Sequence, residues 1–316
     1  MSVFTLLERA ELEAFVAPYG LGRLLDFQGI AAGTENSNFF VSLEAGEYVL
    51  TLVERGQRAD LPFVVELLQR LHAAGLPVPY GVATRSGECL RELADKPALL
   101  QPRLAGKHIE QPNAHHCAEV GSWLARMHLC TQAQPLERRS DRGLDWMLSE
   151  GPLQALQLDG EALELLRASL AEVAQAQAAV LALPRANLHA DLFRDNVLFD
   201  GPHLSGVIDF YNACSGPMLY DVAITLNDWC STASGSLDLS RASALLAAYA
   251  SLRPFHPAEA ELWPCMLRIA CLRFWLSRLI AARQPTALGV QVKDPDEFRQ
   301  RLLQRQQVHL PLPLAL

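Results

Sequence analysis

The segment "NLHADLFRDN", residues 187–196, brings His189, Asp191 and Asn196 close together, with Arg194 and Asp195 between them. Thirteen residues after Asn196, Asp209 stands in the apolar run "VIDF". Three carboxylates, an amide and an imidazole thus cluster beside short hydrophobic stretches. A carboxylate held on a short loop can take a proton from a hydroxyl. Carboxylate and carboxamide oxygens are also hard donors that suit Mg²⁺. Taken singly, Asp191 and Asp195 would serve equally well as turn residues or helix caps.

The spacing favours the chemical reading. His189-x-Asp191-x4-Asn196 fits the kinase catalytic-loop pattern, in which the aspartate accepts the proton of an attacking hydroxyl and the asparagine holds a metal. One short loop can present Asp191 to an acceptor and Asn196 to phosphates. Asp209, at the end of a strand-like run, can supply a second metal ligand. Phosphoryl transfer asks a protein for positioning and charge neutralisation, and these residue types supply both. Asp195 is expected to cap or face solvent, and His189 to scaffold the loop through backbone hydrogen bonds.

Upstream of this segment, residues 23–53 alternate short apolar runs with turn residues. "LLDFQGI", "FFVSL" and "YVLTLV" are separated by "AAGTENSN" and "EAGE", which predicts β structure with a hairpin. Residues 60–74 read as a helix, with Asp60 as cap, Pro62 in the first turn and Gly75 as the stop. "LPVPYGVAT" and "ALLQPRL" read as further strands and a connector. After Gly106 the periodicity becomes helical. Cys117, Val120, Leu124 and Met127 share one face of a helix over 114–130, and 161–182 is a long Ala/Leu/Glu/Gln-rich helix. The expected fold class is α+β: a small antiparallel-sheet lobe with one main helix, residues 1–103, and a larger, mostly helical lobe, residues 104–316. The boundary falls at "QPRLAG", residues 101–106, where Pro and Gly suit a linker.

Composition narrows the partners. The chain has 316 residues, which favours two packed lobes. A net charge of −8 argues against binding nucleic acid or an anionic membrane through a basic surface. Cysteines 89, 117, 130, 214, 230, 265 and 271 are scattered without a CxxC pair. They read as reduced thiols of a cytoplasmic protein, with no zinc site. The N-terminal residues "MSVFTLLERAELEAFV" do not have the pattern of a signal peptide. The most apolar late stretch, residues 265–282, is interrupted by Arg268, Arg273 and Arg278, so it reads as a buried helix whose arginines meet a cleft or a carboxylate, not as a membrane span.

The chain resembles the aminoglycoside-phosphotransferase and choline-kinase group of small-molecule kinases, which share the bilobal protein-kinase-like fold. The resemblance covers most of the chain. It rests on "GTENSNFFV" (33–41), "GLPVP" (75–79), "LARMH" (124–128), "LHADLFRDNVLF" (188–199), "GVIDF" (206–210) and "LYDVA" (219–223). Within that group it is most similar to the bacterial homoserine kinases, through "AGTENSNFFV", "YVLTLVE" (48–54), "IDFYNAC" (208–214), "YDVAITLNDWC" (220–230) and "LRFWLSRL" (272–279).

The resemblance implies roles by position. Asp191 is the expected catalytic base, and Asn196 and Asp209 the Mg²⁺ ligands. Gly33, with Ser37 and Asn38, is expected to cover the ATP phosphates. The connector Gln101–Leu104, with Gln101 and Arg103, is expected at the nucleotide. Asp221 is expected to brace the catalytic loop from below. One position departs from the protein-kinase pattern: Thr51 stands where the third-strand lysine would be, so Glu66, the candidate helix glutamate, lacks that partner. Arg55, Arg58 and Arg103 are the alternative cations. The implied acceptor is L-homoserine, phosphorylated to O-phospho-L-homoserine for threonine biosynthesis. Its carboxylate calls for Arg273 or Arg278, and its ammonium for Asp228. Tyr211, Asn212, Trp229 and Trp275 are candidates for the pocket wall. Choline, a sugar or an aminoglycoside as acceptor, and a noncatalytic nucleotide-binding protein, are the competing readings.

Overall fold

A computed structural model describes residues 5–30, 36–54, 58–283 and 293–314. The chain divides into two compact units. Of the described residues, the first unit takes those up to Ala105 and regains Gly206–Tyr211; the second takes Gly106–Ser205, residues 212–283 and residues 293–314. The short return of Gly206–Tyr211 differs from the division expected from the sequence, which runs 1–103 and 104–316. Asp209 therefore clusters with the first unit.

The first unit opens with α1 (Arg9–Val16), followed by β1 (Leu24–Gly29), β2 (Ser37–Leu43), β3 (Gly46–Leu52), α2 (Leu61–Ala73), β4 (Leu90–Leu93) and β5 (Lys96–Pro102). The strands form one sheet in the order β1-β2-β3-β5-β4, antiparallel throughout. Strand β2 alternates buried and half-buried residues, the period of a strand with one face in a core. Its inward residues Phe39, Val41 and Leu43 pack with Leu50 and Leu52 of β3 and with Leu12, Phe15 and Val16 of α1. Helix α2 buries Leu61, Val64, Leu67, Leu68 and Leu71, a stripe at helical spacing.

Two local expectations change here. Asp60 makes no side-chain cap to α2, because its own backbone is already helical, in a preceding 3₁₀ turn. The segment 76–84 is irregular, since Pro77 and Pro79 remove the donors a strand needs. Gly75 does stop α2. It takes φ +75°, and the N–H of Leu76 reaches back to Leu71 O at 3.0 Å.

The second unit contains α3 (Ala114–Gln132), α4 (Leu144–Ala155), α5 (Gly160–Leu181), β6 (Arg185–Leu188), β7 (Val197–Asp200), the start of β8 (His203–Val207), β9 (Cys214–Pro217), α6 (Met218–Trp229), α7 (Leu239–Leu252), α8 (Pro257–Ala281) and α9 (Pro295–Arg305); the last two residues of β8 belong to the Gly206–Tyr211 segment of the first unit. Strands β6 and β9 pair antiparallel, and β7 pairs with β8.

Every residue of α6 is buried. A helix enclosed on all sides must pair each polar group it carries. Thr225 Oγ1 donates to Asp221 O at 2.8 Å. Asn227 Nδ2 donates to Leu267 O at 2.8 Å, and its Oδ1 accepts from Arg305 Nε at 2.7 Å. The side chains of Asp221 and Asp228, which flank these two, both turn toward the segment 188–196. The apolar stretch 265–282 lies within α8, save its last residue. No helix among the described residues is long and apolar enough to cross a membrane. Its three arginines each meet a carboxylate: Arg268 meets Glu172, Arg273 meets Asp191 and Arg278 meets Glu297.

Candidate active site

The loop after β6 has unusual backbone. Ala190 adopts φ +61°, a left-handed conformation that costs an alanine about 1–2 kcal/mol. Asp221 offsets that cost. Its Oδ2 accepts the N–H of His189 at 2.7 Å and its Oδ1 the N–H of Ala190 at 2.9 Å. Burial alone would raise the Asp221 carboxyl, but the hydrogen bond to His128, nearby imidazole charge and the loop N–H hold it below the usual carboxylate range. His128 is fixed in turn by Tyr249, 2.7 Å from its Nδ1. The expected brace is thus a buried carboxylate that clamps two consecutive peptides and aims Asp191.

Further contacts fix the rest of the loop. The Asp191 N–H donates to His189 Nδ1 at 3.3 Å, the scaffold role expected of that imidazole. Phe193 N–H donates to Asp191 O at 2.8 Å, and Asn196 Nδ2 donates to the same carbonyl at 2.8 Å. Trp229 Nε1 reaches Leu192 O at 3.1 Å, so this tryptophan is a core residue that holds the loop. Asp195 faces solvent, paired with Lys293 at 2.9 Å.

The Asp191 side chain is 22% exposed. Its Oδ2 accepts from Asn212 Nδ2 at 3.2 Å, and its Oδ1 lies 3.9 Å from Arg273 Nη1. Desolvation pushes the Asp191 carboxyl above the ordinary range, with Arg273 and His189 opposing. A carboxylate made more basic by burial yet still exposed at one edge has the character of a general base. Asn196 is buried and spends its amide N–H on Asp191 O, while its carboxamide oxygen accepts no hydrogen bond among the described residues. That hard oxygen fits a divalent cation.

The other candidate substrate residues fare differently. Asp228 is committed to arginines: it accepts from Arg194 N at 2.9 Å and from Arg194 Nε at 3.1 Å, and Arg301 Nη1 lies 3.5 Å from its Oδ1. Two cations already neutralise it, which leaves little field for a substrate ammonium. Arg278 is bound to Glu297 and to Asp294 O at 2.9 Å, and ties α8 to α9. Trp275 is buried at 1% exposure. Sequence reasoning did not single out Arg194. Its signal was a cation inside the loop pattern itself.

Within the first unit, Asp209 has φ +64°, a backbone state that Asp tolerates better than most residues. Burial pushes the Tyr211 phenol up; Thr51 opposes this, and the nearby Asp209 charge adds to it. Gly33 and Arg55 lie outside the described residues. Ser37 is turned into the structure: its Oγ donates to Glu54 Oε1 at 2.6 Å and accepts from Thr5 N at 3.1 Å. Asn38 Oδ1 accepts from Thr51 Oγ1 at 2.7 Å, so the threonine at the lysine position holds its strand neighbour. Gln101 Nε2 donates to Pro79 O at 3.3 Å. Arg103 N donates to Glu47 O at 3.0 Å, and its guanidinium covers the Phe40 ring. Glu66 pairs with Arg70 at 2.8 Å, and Arg58 pairs with Glu92. A cation that the sequence reading passed over, Lys96, pairs with the nearly buried Glu54.

A homoserine kinase of Pseudomonas aeruginosa strain UCBPP-PA14 is 67% identical over 316 residues, the whole of both chains. A homoserine kinase of Methylobacillus flagellatus is 43% identical over 303 residues, 96% of this chain and 94% of that one. Among solved structures, an amicoumacin kinase in complex with AMP-PNP, Ca²⁺ and Ami superposes with a TM-score of 0.70 at 15% identity, covering 95% of this chain and 92% of that one. The fold is therefore the protein-kinase-like fold of small-molecule kinases. The Phosphotransferase enzyme family pattern matches residues 26–255, which include the entire 187–196 loop, its brace and Asp209; the chain belongs to that family.

Proposed function

We propose that this protein transfers the γ-phosphoryl group of ATP to the side-chain hydroxyl of L-homoserine, giving O-phospho-L-homoserine for threonine biosynthesis in the cytoplasm. The carrying observation is the clamped loop with a basic, edge-exposed Asp191 in a chain 67% identical, end to end, to a homoserine kinase. Asp191 removes the hydroxyl proton as the oxygen attacks. Asn212 keeps one carboxylate oxygen in place, so the other faces the acceptor. Asp221 holds the two preceding peptides and so sets the direction of the base.

Asn196 and Asp209 would hold a magnesium ion with ATP. When bound, that ion neutralises phosphate charge. The hard carboxamide oxygen of Asn196 supports this assignment. The nucleotide is assigned to the first unit, with the glycine-containing loop at Gly33, Asn38, and the connector at Gln101 and Arg103. Ser37 contributes by fixing Glu54, and through it Lys96, instead of by touching phosphate. Arg103 has already donated its N–H to Glu47, which leaves the following residue, Leu104, as the backbone contact for an adenine edge.

Arg273 beside Asp191 disfavours a cationic acceptor such as choline. A coupled ADP-release assay across L-homoserine, L-serine, choline and an aminoglycoside, with and without Mg²⁺, tests the proposal. Magnesium-dependent turnover strongest on L-homoserine is expected. Preference for any other acceptor overturns it.

A further inference from the structure

Arginine-to-carboxylate pairing is dense in the second unit, and one arginine stands apart. Arg268 makes a two-nitrogen contact with Glu172, and Arg278 is bonded to Glu297 and Asp294 O. Arg301 and Arg305 have acceptors in Glu297, Asn227, Ser231 and Gly235. Arg273, in the middle of α8, has a side chain only 4% exposed. Its guanidinium lies 3.8 Å from the Phe274 ring centroid and 3.9 Å from Asp191, and it makes no hydrogen bond among the described residues. A buried guanidinium whose five N–H donors face one carboxylate at ion-pair distance and, among the described residues, no hydrogen-bond acceptor is an expensive arrangement unless something fills it.

A second buried donor lies within the field of the same groups. Tyr220, on α6, is 8% exposed, and its hydroxyl has no hydrogen-bond partner among the described residues. Burial pushes this phenol up, Arg273 opposes, and Asp191 adds to the rise, so the hydroxyl shares the field of both charged groups. Arg142 is also near enough for its charge to act against that of Arg273. One buried guanidinium thus stands beside the base, with a buried phenol O–H in its field.

We propose that Arg273 and Tyr220 form a carboxylate-binding subsite that recognises the acceptor beside Asp191 and sets the distance from its hydroxyl to the base. The inference rests on the phosphotransfer reading above and deepens it by naming what selects an amino-acid alcohol. Guanidinium geometry matches a carboxylate in a planar fork, and the phenol supplies a third donor. Arg273 lies close to the base, so carboxylate and hydroxyl are separated by no more than a short carbon chain. A site of this kind rejects neutral analogues, because they leave its buried donors unpaired. The transferred phosphoryl group carries similar anionic oxygens, and the experiment separates the two.

The experiment has two arms on the full chain. In turnover, the wild type is expected to prefer L-homoserine over L-homoserinamide by at least about 10²-fold in kcat/KM. Tyr220→Phe, which removes a hydroxyl without a partner among the described residues, should leave Tm unchanged, raise the KM for L-homoserine several-fold and leave the KM for ATP in place. Arg273→Gln should bring the acid-to-amide ratio near one. In binding, calorimetry with L-2-aminobutyrate, which carries the carboxylate but no hydroxyl, should show a preference over its amide in the wild type that Arg273→Gln abolishes. If the wild type phosphorylates no acceptor, the phosphotransfer reading fails while the titration still decides the subsite. A carboxylate preference retained in both variants overturns the proposal. So does a change confined to the KM for ATP, which would assign Arg273 to the phosphoryl group.

Discussion

Arg194 donates both its backbone N–H, at 2.9 Å, and its side-chain Nε, at 3.1 Å, to the same Oδ2 of Asp228. One carboxylate on the buried helix α6 therefore fixes the backbone and side chain of a residue between Asp191 and Asn196. Asp228 is also the partner of Arg301, whose side chain is 5% exposed. Asp228→Ala would orphan a loop N–H and leave a buried cation short of charge. We expect a stability loss of about 3–5 kcal/mol, the usual cost of breaking one side of a buried ion pair, together with a fall in kcat. Urea midpoints and kcat measured on the same preparation test this. A loss of stability under 1 kcal/mol would show that the pair does not anchor the loop.

Asp191→Asn keeps the shape of the side chain and removes the base. Turnover should fall by about 10²–10⁴-fold with little change in the KM for ATP. Because burial raises the Asp191 carboxyl, the wild-type kcat should decline on the acid side at a pH above the ordinary carboxylate range, as the base becomes protonated. The variant's residual rate should lack that acid limb. A pH profile with the same limb in both proteins would remove Asp191 from the role.

Asp221 titrates in the opposite direction. Its folded-state carboxyl is held below the usual value, so the charged form is favoured by folding. The stability this contributes is present above the unfolded value of about 3.9 and is lost as pH falls through the lower folded value. Asp221→Asn should therefore lower stability at neutral pH and flatten the acid end of the stability curve. Denaturant midpoints from pH 7 down to pH 3 make the comparison. An acid limb equally steep in the variant would refute the linkage.

The motif and the main helices were legible in the sequence because each has a local signature, whereas the Asp221 brace followed only from the family resemblance, its partners His189 and Ala190 lying 32 and 31 positions away. Apolar spacing marks α2, α3 and α5, turn residues separate β2 from β3, and the His-x-Asp-x4-Asn spacing needs no partner to be seen. The residues that escaped are those whose meaning depends on a partner far along the chain. Asp228 looked like a free anion because nothing near it in sequence is basic, yet Arg194 and Arg301 are its partners across 34 and 73 positions. Lys96 was passed over because Glu54 lies 42 residues away. Asp60 resembled a cap by type, but its backbone conformation forbids the geometry. Local pattern predicts elements, whereas charge pairing is a tertiary property.

Gly121 offers a test of packing apart from chemistry. It lies in α3 where that helix meets α7, and a Cβ built on it would stand 2.3 Å from Leu245 O, a backbone atom of α7. Gly151 in α4 is as crowded by distance, at 2.4 Å, but its obstacle is the tip of the Leu170 side chain, which can rotate. Helix propensity alone would favour Ala at both sites by about 1 kcal/mol. Overpacking against rigid backbone costs about 1–3 kcal/mol or more, so Gly121→Ala should be clearly destabilised, whereas Gly151→Ala should be near neutral. Chemical denaturation of both variants ranks them directly. The reverse order would mean that α3 and α7 can move apart more easily than a leucine side chain can turn.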